Sequence, residues 1–67
     1  MDEILTQLRA EFPTMSFDGG EDALGYWLQA SQGDWVWRRG AVSSLQSMLI
    51  FATTALAVAA GQGAISV

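Results

Sequence analysis

An uncharged, apolar run of twenty residues, from Ala41 to Ala60, constrains this chain more than any other feature of its sequence. As an α-helix the run would be about 30 Å long, which matches the hydrocarbon core of a lipid bilayer. Its large aliphatic and aromatic side chains favour insertion, whereas three serines, two threonines and Gln46 oppose it. The run therefore predicts a transmembrane helix whose polar side chains contact other protein helices.

The alternative is a helix that is buried inside a protein assembly. The chain has 67 residues and no cysteine, and a chain below about 70 residues rarely stabilises a single core unaided. Outside a membrane, the run would therefore need an oligomer to cover it.

The charges divide the chain into an acidic head and a weakly basic remainder. All seven acidic residues precede Trp35, and the only basic residue before Trp35 is Arg9, so residues 1–34 carry a net charge of −6. Arg38 and Arg39 give the remainder a charge of +2. Because an acidic head cannot collect phosphates and two arginines are too few to do so, nucleic acid is not expected as a direct partner.

Two short amphipathic helices are predicted in this head. The first begins at Asp2 and ends before Pro13, and its apolar stripe is Ile4, Leu5, Leu8 and Phe12. An extended connector follows, with a turn at Asp18, Gly19 and Gly20. The second helix begins at Glu21 and ends at Gly33, and one of its faces carries Leu24, Trp27, Leu28 and Ser31.

Residues 35–40 are predicted to anchor the chain at a membrane interface, because large aromatic side chains and arginines concentrate there. The anchor residues are Tyr26, Trp27, Trp35, Trp37, Arg38 and Arg39. The arginines hold the N-terminal side in the cytoplasm, so the short tail, residues 61–67, would emerge on the opposite side. The alternative interpretation is a tryptophan-rich core with two solvated arginines.

Small residues follow steps of four and three along the predicted transmembrane helix, residues 41–60. This spacing is that of a packing seam between two helices, where small side chains allow close approach. The predicted helix-packing interface is Ser43, Ser47, Ile50, Thr54, Ala57 and Gly61.

Catalysis is not expected. The sequence contains no histidine, lysine or cysteine, so its serines have no base that could activate them. Asp18, Glu21 and Asp22 lack the ligand spacing of a calcium loop, and a turn followed by helix-start charges accounts for them. We therefore expect no catalytic residue, no cofactor, no metal site and no small-molecule substrate.

Together these features predict an all-α membrane protein with one transmembrane helix and one or two short helices before it. Its predicted function is that of a non-catalytic accessory subunit of a larger membrane assembly. Its expected partners are the lipid bilayer and other membrane-embedded helices, in a homo- or hetero-oligomer.

Two further functions are compatible with the sequence. One is a self-assembling coat or filament subunit, since the acidic head, alanine-rich span and length resemble filamentous phage coat proteins. Those proteins carry basic residues after the span, whereas Arg38 and Arg39 precede it. The other is a small regulator that binds a transporter or channel.

Overall fold

The computed structural model describes residues 1–66, which form two helices and three strands. In chain order these are α1 (Asp2–Glu11), β1 (Ser16–Asp22), β2 (Gly25–Gln32), β3 (Trp35–Val42) and α2 (Leu45–Gly61). The strands form one antiparallel sheet in the order β1-β2-β3. The fold is therefore α+β, and the predicted all-α class is wrong.

Helix α1 lies where the first apolar stripe predicts a helix. Leu5 and Leu8 are buried, and the helix ends one residue before Phe12, which precedes Pro13. Proline disfavours helical geometry in the residue before it, and Phe12 accordingly has an extended φ of −128°. An isolated helix of ten residues is marginal in water, so packing on the sheet stabilises α1.

The predicted second helix is wrong, because residues 25–32 form the central strand β2. Leu28 and Ala30 alternate along this strand on the side covered by the helices, and both are fully buried. Tyr26 and Trp27 have the large aromatic side chains that favour strands. Gly33, predicted to end a helix, adopts a left-handed φ of 57° in the turn between β2 and β3 instead.

Strand β3 contains residues 35–40, which were predicted to form the interfacial anchor before the long helix. Trp37 pairs with Ala30 and Arg39 with Leu28, so this part of the chain is extended. The register then shifts, because Gly40 and Ala41 both lie opposite Trp27. Such a bulge bends a strand and increases its twist. Ala41 has a φ of 57°, which L residues rarely adopt, and the chain turns there toward α2.

Helix α2 begins at Leu45 rather than at the start of the apolar run. The hydroxyl of Ser44 accepts a hydrogen bond from the Ser47 backbone N–H at 3.3 Å, which caps the helix. The helix has 17 residues and is about 26 Å long. In residues 1–66, neither helix combines the length and apolar character needed to cross a membrane.

This finding overturns the predicted transmembrane helix at 41–60, the membrane location with a cytoplasmic N-terminus, and the function as a single-span membrane subunit. The alternatives that required the same long helix, the helical coat subunit and the intramembrane regulator, fail with it.

Both helices pack on the same face of the sheet. α1 contacts β1, whereas α2 contacts β2 and β3 about equally. They enclose one apolar core, and the buried residues of the described chain are all apolar. The largest side chains that are fully buried are those of Leu8, Leu28, Met48 and Leu56.

The segment after α2 returns to the sheet. Ile65 is buried, and the Gln32 side chain donates to the Ser66 carbonyl and accepts from the Ser66 N–H, both at 2.7 Å. The Thr14 hydroxyl donates to the same Ser66 carbonyl at 2.7 Å. These bonds hold the segment beside the start of β1. The predicted tail ends at residue 67, which lies outside the described residues.

Candidate interaction surface

The outward side of α2 carries apolar and small residues but no charge. We call this surface the outer face of α2: it consists of Ser47, Ile50, Thr54, Ala57, Val58 and Gly61. Ile50 is 56% exposed and Val58 is 54% exposed. A surface helix usually places charged or strongly polar residues on the side opposite its buried stripe. The outer face of α2 departs from this rule, and the exposed residue of the helix that follows it is Gln46, in the first turn.

The structure places the six residues of the predicted helix-packing interface on or just before this outward side. Ser47 is half-buried, and the other five, Ser43, Ile50, Thr54, Ala57 and Gly61, are exposed. The side of α2 that packs on the sheet consists instead of Met48, Ala52, Leu56 and Ala59. The predicted residues therefore form one continuous surface, and their role in packing stays a prediction.

The sheet separates the six predicted anchor residues onto its two faces. Trp27 and Arg38 lie on the open face, away from the helices, as the strand register requires. The other four, Tyr26, Trp35, Trp37 and Arg39, lie on the face that the helices cover. The sheet therefore does not bring the six side chains to one surface, and their role as a membrane-interface anchor stays a prediction.

On the open face, Trp27 lies across the neighbouring strand at Gly20. A Cβ atom added to Gly20 would come within 3.1 Å of the Trp27 Nε1 atom. The Arg38 guanidinium lies over the indole ring at 4.7 Å from its centroid, and Nη1 of Arg38 donates to Oε1 of Gln29 at 3.5 Å. This cation–π contact holds the arginine along the sheet surface.

On the covered face, Arg39 links β3 to α2. Its guanidinium lies 4.0 Å from the centroid of the Phe51 ring. Phe51 therefore marks the side of α2 that points toward β3. Around the helix, Ser47, Thr54 and Val58 lie near this side, since a residue advances about 100° around an α-helix.

The two outer strands of the sheet have different surroundings. At β1, the Arg9 side chain of α1 donates to the Phe17 carbonyl at 3.0 Å, so a helix residue occupies a backbone acceptor of that strand. At β3, no further strand of the described chain pairs beyond it. We call residues 34–38, with the sequence Asp-Trp-Val-Trp-Arg, the β3 edge; Asp34 is the last residue of the turn, and the other four begin the strand. Val36 is 60% exposed at its centre.

An open groove of about 550 Å³ lies between the N-terminal ends of α1 and α2. Its lining is mostly apolar, and the only ionisable side chains in it are those of Asp2 and Glu3. Among residues 1–66, no three acidic, histidine or cysteine side chains come together in a way that could hold a metal ion.

Sequence reasoning missed the β3 edge as a surface. A signal was present, because Gly33-Asp34 separates two runs rich in aromatic and β-branched residues, a pattern typical of a β-hairpin. The apolar run beyond it favoured a transmembrane interpretation, in which these residues formed a short helix and an interfacial anchor, and this masked the signal.

No family model matches the chain, and neither a characterised protein nor a solved structure matches it. The function must therefore be argued from the surfaces of the chain itself.

Proposed function

We propose that this chain is a non-catalytic assembly module that binds a second copy of itself through the outer face of α2. The observation that carries the proposal is the absence of charge along that face, together with the exposure of more than half of Ile50 and of Val58. Exposed apolar surface on a helix of this kind is typical of protein–protein contact sites.

The proposed partner is a second copy of the chain, because the outer face of α2 is complementary to itself. A two-fold axis places the same patch on both partners, so small residues on one helix meet small residues on the other. An uncharged face provides no electrostatic preference for a foreign partner. Close approach is favoured by Thr54, Ala57 and Gly61, whose side chains are short or absent.

The distribution of charge supports the same occupant. The acidic residues lie in α1, β1 and the turns, whereas residues 35–66 contain none. α1 packs on β1, and α2 packs on β2 and β3. Two copies that meet through α2 keep their acidic sides apart, which limits the repulsion between chains that each carry a net charge of −4.

The area of the helix face limits how much surface the contact can bury. A specific interface buries about 500 Å² per copy at the lower end of the observed range, which is about one-eighth of the 4097 Å² that the chain exposes. A strip about 26 Å long and about 10 Å wide covers about 260 Å². The outer face of α2 therefore supplies about half of the area, and the neighbouring surface must supply the rest.

The available chemistry supports a non-catalytic role. The groove between α1 and α2 presents two carboxylates and no nucleophile with an adjacent base, so acyl transfer and general base chemistry lack their usual groups. The expectation that the chain is not an enzyme therefore remains part of the proposal.

The test is sedimentation equilibrium of the purified chain from about 10 μM to about 1 mM, a range that brackets weak specific dimers. A concentration-dependent monomer–dimer equilibrium is expected. Val58→Lys should raise the dissociation constant at least tenfold, because the two-fold axis places the new charge in the contact twice. A chain that stays monomeric across this range would refute the proposal.

Leu24→Lys is the matched control. Leu24 is 78% exposed in the turn between β1 and β2, away from α2, and the substitution makes the same change in charge and side-chain type. It should leave the dissociation constant unchanged within about twofold. Equal weakening by both substitutions would mean that net charge, rather than the outer face of α2, controls association.

A further inference from the structure

We infer that two copies join their β3 edges around a two-fold axis at Val36, which forms one six-stranded antiparallel sheet. This inference rests on the proposed self-association and specifies its geometry. It also identifies the surface that supplies the remaining area beside α2.

The β3 edge is the side of the sheet that is available for pairing. An outer strand presents unpaired backbone N–H and C=O groups, which a further strand can satisfy. At β1, Arg9 already occupies the Phe17 carbonyl. At β3, the bulge at Gly40 and Ala41 ends the regular strand, so pairing is confined to residues before it.

The sequence of this edge is complementary to itself. In an antiparallel pair centred on Val36, Asp34, the turn residue just before β3, comes opposite Arg38 of the other copy, and the same pair forms again on the other side of the axis. The Arg38 guanidinium, which lies over Trp27 in the single chain, must turn toward the sheet edge to meet it. Trp35 lies opposite Trp37, and the exposed Val36 side chains meet at the centre. Opposite charges and aromatic pairs are the cross-strand neighbours that stabilise antiparallel sheets.

Neighbouring registers lose this match. If the helices of both copies are to stay on one face of the joined sheet, residues that lie opposite each other must point to the same face, so the axis must pass through a residue. The nearest alternative axes are therefore at Trp35 and Trp37. Centring on Trp37 places Val36 opposite Arg38 and leaves Asp34 opposite Gly40 of the bulge. Centring on Trp35 places Asp34 opposite Val36. The axis at Val36 is therefore the register in which the charges pair.

The same axis brings the two α2 helices together. Adjacent strands are about 4.8 Å apart, so the axis lies about 2.4 Å beyond β3. α2 packs on β2 and β3 about equally, which places it about 5 Å from the axis when it is centred between them. Two such helices are about 10 Å apart, at the upper end of the usual helix-packing distance. One interface thus includes the β3 edge and the margin of the outer face of α2 that lies toward β3, where Thr54 and Val58 are.

The helix surface at that contact is consistent with the observed side chains. Phe51 marks the β3 side of α2 through its contact with Arg39. Val58 and Thr54 lie near the same side and are exposed. Both are free of charge, and the ionic group that lies beside this contact is the Arg39 guanidinium on the Phe51 ring.

The experiment is a charge exchange across the axis, measured by sedimentation equilibrium with folding checked by circular dichroism. Asp34→Arg alone places arginine opposite Arg38 twice, and Arg38→Asp alone places two carboxylates opposite each other twice. Each should raise the dissociation constant at least tenfold. The double variant D34R/R38D restores both pairs and should return the constant to within about threefold of the original.

Asp18→Arg is the control for the charge exchange, since it makes the same change as Asp34→Arg on the exposed surface of β1. It should not weaken the dimer. A second readout is disulfide formation after Val36→Cys. The chain contains no other cysteine, and residues opposite each other at the axis are close enough for a disulfide. Leu24→Cys should not cross-link under the same conditions.

The outcomes separate the two proposals. Dimerisation with no rescue in D34R/R38D and no cross-link at Val36 would overturn this register and leave self-association through α2 standing. A monomer at every concentration would overturn both. Rescue together with the cross-link establishes the axis at Val36.

Discussion

Gly25→Ala tests the junction that joins the start of β2 to the end of β3. Gly25 has a φ of 128°, and a Cβ atom added there would lie 2.7 Å from the Val42 carbonyl oxygen and 3.3 Å from the Val42 nitrogen. The clashing atoms belong to the Val42 backbone, so no side-chain rotation removes the clash. The strand end must therefore move, or the hairpin must open at this point.

The expected loss of stability follows from two terms. A residue forced into such a backbone region costs about 1–3 kcal/mol, and overpacking adds about 1–3 kcal/mol. We expect Gly25→Ala to lower the free energy of unfolding by about 2–6 kcal/mol. A chain of this length is stable by about 3–10 kcal/mol in total, so the variant should lose a large fraction of its stability.

Gly33→Ala separates the two terms. Gly33 has a φ of 57°, and nothing lies within 4 Å of the position that its Cβ would occupy. This substitution should cost about 1 kcal/mol, because it carries the left-handed backbone penalty without the clash. The measurement is urea denaturation followed by tryptophan fluorescence and circular dichroism. A loss at Gly25 no greater than that at Gly33 would refute the argument from the Val42 backbone.

Two other substitutions test the core and the start of α2. Leu28→Ala should lower the free energy of unfolding by about 2–5 kcal/mol because Leu28 is fully buried, whereas Leu24→Ala, at a residue 78% exposed, should change it by less than about 0.5 kcal/mol; similar losses in urea denaturation would place Leu28 outside the core. Ser44→Ala should cost about 1 kcal/mol in the same assay through loss of the cap to Ser47, and a loss of helical circular dichroism without any loss of stability would contradict this reason.

The sequence predicts α1 well, because the signals for it are local. An apolar stripe on one side and Pro13 after it are sufficient to define a short helix, and the structure has that helix at Asp2–Glu11. These signals also indicate that the stripe needs something to pack on. They do not identify the sheet that covers Leu5 and Leu8.

The sheet was missed because two periods compete in the same residues. Trp27, Leu28 and Ser31 fall on one side of a helix, whereas Leu28 and Ala30 alternate with outward residues in a strand. Composition on its own cannot decide between these patterns. Pairing of β2 with two neighbours decides it, and pairing depends on residues that are distant in the chain.

The candidate surface was predicted in part. The spacing of small residues placed Ile50, Thr54 and Ala57 on one face of a helix, and the structure shows that face pointing outward. The length of the helix was overestimated because hydropathy does not register the bulge at Gly40 and Ala41. The charge match along the β3 edge emerges only after Asp34 is known to lie in the turn before β3 and Arg38 within that strand.

The bonds between Gln32 and Ser66 have a consequence for the order of folding. The two hairpins join strands through short turns, and hairpins of this kind form within about 1–10 μs. The link from Gln32 to Ser66 closes a separation of 34 residues, so its entropic cost delays it. The sheet should therefore form first, and α2 should dock afterward. Until it docks, Met48, Ala52 and Leu56 stay exposed on a helix without charges, and folding should be most prone to aggregation in that interval.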